Sequence, residues 1–165
     1  MVPVLLALGS NQDDPARQVR AAFQRLEGRF PGAQFSSLYE SPPMYYVDQP
    51  PFINAVALIQ TDLGPLELLT LVKSLEQSQG RTTTFANGPR VIDIDILSYG
   101  SLIYTFQPKS GPAVQIPHAR MEERRFVLEP LAELCPEHFI PGKPLIRDML
   151  RRVASQPLKR VDAEL

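Results

Sequence analysis

Apolar positions along the chain fall into short blocks whose period switches between that of a strand and that of a helix. Val4 to Leu8 make a compact apolar run closed by Gly9, which predicts a strand buried on both faces. Asp13 or Asp14 ahead of Pro15 supplies a helix start, a capping side chain followed by proline in the first turn. Ala16, Val19, Phe23 and Leu26 then recur at helical spacing until Gly28 and Pro31-Gly32 end the pattern. Phe35 to Glu40 reads as a weaker strand halted by Ser41-Pro42-Pro43, and Phe52 to Thr61 as a strong one in which both alternating sets are mostly apolar. A second helix opens near Pro65, carries Leu68, Leu69, Val72 and Leu75 on one face and ends at Gly80. After a polar loop, Val91 to Tyr99 makes another strand.

The order β-α-β-β-α-β is that of a split βαβ unit, and it predicts a ferredoxin-like α+β sandwich: two helices packed over an antiparallel sheet. Ser101 to Ile116 adds a hairpin or extended excursion. Met121 to Leu134 and Leu145 to Val153 read as further helices, with Pro130 marking a break or restart. One domain over residues 1–165 is expected, with C-terminal additions and a tail after about residue 155 that carries no usable motif, as does the stretch from Ile103 to Ala113.

Composition narrows the function classes. A chain that is 44% hydrophobic and 21% charged is an ordinary globular sequence, and its formal net charge of -1 argues against a protein that coats nucleic acid or an anionic membrane. The N-terminus reads as a first strand and not a signal peptide, and no run approaches the ~18 apolar residues of a membrane span. Cys135 is the single cysteine, so it cannot form an internal disulfide; it is read as a small buried residue after a helix in a reducing compartment. A cytoplasmic location is expected, as a monomer or weak oligomer. Seventeen prolines, clustered in SPP, QPP, QPKSGP and IPGKP, predict ordered surface loops, where binding chemistry concentrates.

The strand within Asn87–Leu97, NGPRVIDIDIL, raises a chemical question. Ile92, Ile94 and Ile96 face a core, so Asp93 and Asp95 share the other face, roughly 6.5–7 Å apart along the chain. Two carboxylates so placed suit a hard cation such as Mg²⁺, which takes oxygen ligands and shares its shell with waters and substrate phosphates. A solvated acidic face is an equally simple reading of the strand alone. Arg81, Arg90, His118, Arg120 and Arg124 lie nearby in the pattern, as cations around a bound polyphosphate would. Arg125, and Arg120 and Arg124 with them, also read as a solvated helix face. Asn54 stands mid-strand in an apolar run, where an unpartnered amide is costly, so it binds either a ligand or a loop backbone. No Walker A loop and no zinc-like Cys/His spacing occurs.

In order and spacing, ALGSNQ, YESPPMYYVDQPPFINAV, LEQSQGR, GPRVIDIDIL and IPHARMEERRFVLEPLAEL resemble the 6-hydroxymethyl-7,8-dihydropterin pyrophosphokinase family over about Leu5 to Pro136. That resemblance implies a ferredoxin-like fold and Mg²⁺-dependent transfer of the terminal diphosphate of ATP to the pterin hydroxymethyl group, releasing AMP, in folate biosynthesis. By the same resemblance Asp93 and Asp95 hold two Mg²⁺ against the triphosphate, and Arg81 and Arg90 join them in catalysis. Arg81, Arg90, Arg124 and His118 match nucleotide-binding positions, and Glu76 and Gln115 fall near the nucleotide. Phe52 and Phe126 match rings that sandwich the pterin, and Asn54 matches the side chain that reads its edge, helped by Ser41, Pro42 and Met44 and by Asp93. The substrates implied are ATP and the pterin, with no nucleic acid or membrane. A departure lies at TTTFAN, residues 82–87, where Thr83 and Ala86 replace arginines of a loop that covers ATP in the family; slow turnover is the expectation. Two rivals keep the acidic strand: a two-metal phosphoester hydrolase, and a ferredoxin-like nucleotide- or pterin-binding module without turnover.

Overall fold

The computed structural model describes residues 1–80, 88–109 and 113–161. Its central sheet is built from β1 (Val2–Ser10), β2 (Gln34–Phe35), β3 (Leu38–Ser41), β4 (Phe52–Thr61), β5 (Asp93–Tyr99) and β8 (Lys159–Val161), in the order β5-β1-β4-β3-β8 with β2 also on β4. Every pairing is antiparallel. Between the strands run α1 (Pro15–Arg29) and α2 (Pro65–Ser78), and after them come α3 (Arg125–Leu134) and α4 (Ile146–Arg152). The excursion after β5 is a hairpin of β6 (Tyr104–Phe106) and β7 (Val114–Ile116). The α+β class and the antiparallel sheet agree with the sequence pattern.

Alternation decides which helices cover which face. Val4, Leu6 and Leu8 of β1 share a core with Ala57 and Ile59 of β4, Ile94 and Ile96 of β5, and the buried stripes of α1 and α2. Leu5, Val56 and Leu97 point the other way and pack with Val127, Leu128 and Leu131 of α3 and Ile146 and Met149 of α4. Each of the Val, Leu, Ile and Met side chains among these contributes about 1.5–3 kcal/mol on burial. The C-terminal helices are therefore a second layer over the sheet and not appendages, which the two-helix expectation did not contain.

Three local expectations are corrected. The strand expected over Phe35–Glu40 is interrupted, because the Ser36 hydroxyl accepts the Val56 N–H at 2.9 Å and so replaces a ladder bond. Asp14 does occupy the position before α1, but with φ 61 its side chain makes no capping bond. The break expected at Pro130 lies instead at Arg124, whose extended backbone separates a 3₁₀ turn (Met121–Glu123) from α3. Pro130 sits inside α3, buried in its apolar side, where packing offsets one missing N–H bond.

A register shift marks β5. Leu5 pairs with Ser98 but Leu6 with Ile96, so Leu97 is the extra residue of a bulge. Alternation continues through Asp93, Asp95 and Leu97, so Leu97 lies on the α3/α4 side with the two aspartates. That face is thus apolar at one end and acidic at the other.

Candidate active site

At the acidic end, the cross-strand partners are unusual. Gly9 pairs with Asn54 on one side and Asp93 on the other, and Ala7 pairs with Asp95. Directly paired residues point to the same face of a sheet, so the small residues of β1 leave a floor between an amide and two carboxylates. A Cβ on Gly9 would stand 3.5 Å from Asn54 Oδ1, inside this space. The first turn of α3 and the loop 42–51 roof it, leaving a cavity of about 680 Å³ that includes open solvent.

Most of the residues singled out in the sequence meet here. Ser41, Pro42, Phe52, Asn54, Arg90, Asp93, Asp95, Arg124 and Phe126 all line this cavity. Asn54 resolves the earlier alternative in a specific way. Its Nδ2 donates to Ser41 Oγ at 2.9 Å and to the Tyr39 carbonyl at 3.3 Å, so its partner is the neighbouring strand β3 and not a loop backbone. The amide is thereby oriented with its oxygen toward Gly9, an acceptor offered to the cavity. Phe52 and Phe126 come from opposite layers, one from the sheet and one from α3, and both are half-buried.

The charged wall is electrostatically loaded. Burial, and then the neighbouring Asp93 carboxylate, push Asp95 up to about 7. Two like charges held this close in a desolvated setting share a proton unless a cation is present. Their oxygens fit a hard divalent ion that completes its shell with water and phosphate. Among the described residues there is no group of three or more His, Cys, Asp or Glu that could hold a metal by itself, so such an ion would rely on a ligand's oxygens. Arg90 is tied to the carboxylates, its Nη1 lying 3.5 Å from Asp93 Oδ2.

His118 is neutral over the ordinary pH range: burial, and then the Arg124 cation, lower it to about 4. Its Nδ1 accepts the Arg120 N–H at 3.1 Å, so the ring hydrogen resides on Nε2, a donor suited to an anionic ligand. Its own N–H donates to the Leu97 carbonyl at 2.8 Å.

Other expected residues lie elsewhere. Glu76 is buried on α2, paired with Lys73 at 3.3 Å, and its Oε2 accepts the Ile94 N–H at 2.6 Å. It holds β5 between the two aspartates and does not line the cavity. Gln115 is exposed on β7, and Met44 is exposed while its neighbour Tyr45 lines the cavity. Arg81 and the uncharged stretch 82–87 lie outside the described residues. Arg125, read as a solvated position, is half-buried and bonded to Glu129, Ala154 and Gln156. Cys135 is half-buried at the end of α3, and burial raises its thiol to about 11, an unreactive state.

Two contributors were missed. Asn11 looked like part of a tight turn, yet it is 2% exposed and joins three segments. Its Nδ2 donates to Gln49 Oε1 at 2.9 Å and to the Pro50 carbonyl at 3.1 Å, while its Oδ1 accepts the Arg90 N–H at 2.8 Å. Tyr45 sits in the proline-rich loop with the Arg120 and Arg124 guanidinium carbons 5.1 and 5.2 Å from its ring centroid. Its hydroxyl donates to Glu123 and accepts from Arg124 Nε. The available signals were a polar residue closing an apolar strand, and an aromatic in a rigid loop of a chain rich in arginine.

Comparison with known proteins bears on this cavity. The family model described as 7,8-dihydro-6-hydroxymethylpterin-pyrophosphokinase matches residues 5–136. The 2-amino-4-hydroxy-6-hydroxymethyldihydropteridine pyrophosphokinase of Pseudomonas aeruginosa is 37% identical over 161 residues, 96% of each chain. Its counterpart from Haemophilus influenzae is 34% identical over 164 residues, 98% of this chain and 99% of that one. A folic acid synthesis protein of Dictyostelium discoideum is 43% identical over 138 residues, 84% of this chain but only 20% of that protein. In fold, the chain matches the Plasmodium falciparum HPPK-DHPS structure with pteroate at a TM-score of 0.75 and 16% identity, covering 93% of this chain and 42% of that one. The family match over most of the sequence, with bacterial relatives aligned nearly end to end, establishes that the chain belongs to the 7,8-dihydro-6-hydroxymethylpterin-pyrophosphokinase family.

Proposed function

We propose that the protein transfers diphosphate from ATP to 6-hydroxymethyl-7,8-dihydropterin in folate synthesis, releasing AMP, on a ferredoxin-like scaffold. The observation that carries this reading is that one cavity gathers two chemistries. Phe52, Phe126 and the Asn54 acceptor line it together with Asp93, Asp95, Arg90 and Arg124, and the Arg124 guanidinium carbon stands 5.7 Å from the Phe126 ring centroid, where the two sets meet. A flat heterocycle rich in N–H donors suits the first set, since rings cover its faces and an oxygen meets its edge. A polyphosphate suits the second, and Mg²⁺ held by Asp93 and Asp95 would neutralise charge there.

Most of the protein's contribution is positioning. Phe52 and Phe126 hold the pterin plane, and Asn54 sets its rotation. Arg90, Arg124 and the Nε2–H of His118 hold the phosphate oxygens. The hydroxymethyl oxygen then lies in line with the β-phosphorus; its bond to that phosphorus forms as the bond from the α–β bridging oxygen breaks, its proton passes to water, and AMP leaves. Asn11 keeps the loop 42–51 and the Arg90 segment in a fixed relation, so both halves of the site are set by one buried amide. The uncharged stretch 82–87 supports the expectation of slow turnover.

The test is to combine the protein with Mg-ATP and the pterin and to identify the nucleotide product. AMP that appears only with pterin supports the reading. ADP would indicate an ordinary kinase, pterin-independent breakdown a hydrolase, and binding without turnover a binding module. Asp93→Ala and Asp95→Ala are each expected to abolish AMP formation.

A further inference from the structure

The segment after Ser155 had no motif, yet it grips the helix start that carries two site residues. Arg124 is the residue before α3 and makes no side-chain cap of its own, which leaves the first helical N–H groups in need of partners. Gln156 supplies one from 31 residues away: its Oε1 accepts the Arg125 N–H at 2.9 Å. Its Nε2 donates to the Glu123 carbonyl at 2.8 Å. A single amide thus holds the peptide groups on both sides of Arg124.

The grip is reciprocal. Arg125 Nη1 donates to the Gln156 carbonyl at 2.8 Å and to the Ala154 carbonyl at 3.3 Å, and its Nε to Glu129 Oε2 at 3.2 Å. The Gln156 N–H donates to the Val153 carbonyl at 3.0 Å, which anchors the segment to the end of α4. Three residues further on, Lys159 begins β8, where it pairs with Glu40, next to Ser41 in the cavity wall. The same short segment therefore spans the α3 wall and the β3 wall.

We propose that Gln156 is a positioning residue, fixing Arg124 and Phe126 at the mouth of the cavity. This rests on the reading above, in which Phe126 stacks on the pterin and Arg124 meets phosphate. The nucleotide has further partners on β5 and at His118, whereas the pterin depends on Phe126 for one whole face. The pterin is accordingly the more sensitive ligand.

Steady-state kinetics on Gln156→Ala, Gln156→Glu and Tyr99→Phe, each compared with wild type well below its melting temperature, test this. Tyr99 donates to the Leu63 carbonyl at the far end of β5 and serves as a destabilised control. The expected result for Gln156→Ala is a pterin KM raised about tenfold with the Mg-ATP KM within about twofold, the scale of losing two hydrogen bonds that orient a binding group. Gln156→Glu keeps the acceptor for the Arg125 N–H and is expected to recover at least half of that loss; if the alanine form is insoluble, its shifted pterin KM makes the same comparison. Tyr99→Phe is expected to lower stability without moving either KM. A Gln156→Ala protein that melts lower but keeps wild-type KM and kcat would overturn the proposal, as would equal rises in both KM values. A wild type that forms no pterin-dependent AMP would instead defeat the functional reading, and this inference with it.

Discussion

Asp95→Asn is expected to stabilise the ligand-free protein while removing its activity. In the free chain the Asp95 carboxyl is raised from 3.8 to about 7 by burial and by Asp93. A carboxyl raised in the folded state favours folding while it keeps its proton, and that advantage is lost as pH climbs from about 4 to 7. The interval is roughly three decades of proton affinity at about 1.4 kcal/mol each, a ceiling near 4 kcal/mol. The effective dielectric even at buried sites is well above that of a dry interior, so about 1–2 kcal/mol is the working magnitude. Asparagine has the same shape, no charge, and an N–H to offer Asp93. At pH 8 the variant should therefore melt about 2–8 °C above the wild type, at the 2–4 °C per kcal/mol expected for this chain length, and at pH 4 the gap should close. Thermal or urea unfolding at both pH values, with and without Mg-ATP, measures this, and subtracting variant from wild type cancels the titrating groups that do not interact with Asp95. Mg-ATP is expected to stabilise the wild type at pH 8 and the variant far less. A variant no more stable than wild type at pH 8, or a gap independent of pH, would refute the reasoning.

Other outcomes follow from the same geometry. Gly9→Ala places a methyl at ordinary contact distance, 3.5 Å, from Asn54 Oδ1; the protein should fold with nearly unchanged melting, yet calorimetry should show pterin affinity reduced at least about tenfold, as the cavity floor is filled. Tyr39→Phe removes a 2.6 Å bond to Glu133 that links β3 to α3, and urea unfolding should show a loss of about 1–2 kcal/mol. His118 is lowered to about 4 in the fold by burial and Arg124, so between pH 6.5 and 4 the unfolded chain takes a proton that the folded one refuses, and stability declines with acid in that window. His118→Asn should lose about 1 kcal/mol of that decline and should also bind Mg-ATP more weakly.

The strand pattern made much of this site legible. Strict alternation in VIDIDI placed both aspartates on one face, and the apolar surroundings of Asn54 marked it as a polar residue that needed a partner. What alternation cannot state is what roofs a face. That α3 closes over the aspartates depends on Val127, Leu128 and Leu131 meeting Leu5, Val56 and Leu97, a pairing between distant segments. The bulge at Leu97 was hidden because Leu and Ser at 97 and 98 fit either register. Glu76 was placed near the nucleotide by resemblance, but its carboxylate is consumed by the Ile94 N–H, an assignment that only the packing of α2 reveals. Gln156 and Arg125 were opaque for the same reason: their partners are 31 residues apart, and neither residue type signals a helix cap.

The position of β5 at the margin of the sheet has a consequence for solubility. A bare strand edge is a template on which another chain can add itself, and this strand is apolar and central to the site. Its outward Ile94 N–H is taken by the Glu76 carboxylate, and its outward Leu97 carbonyl by the His118 N–H. The opposite margin, β8, is three residues long and carries Lys159 and Arg160. Both margins thus oppose the addition of a foreign strand, which favours keeping the two aspartates at the border, within reach of a diffusing triphosphate, over fibril-like self-association.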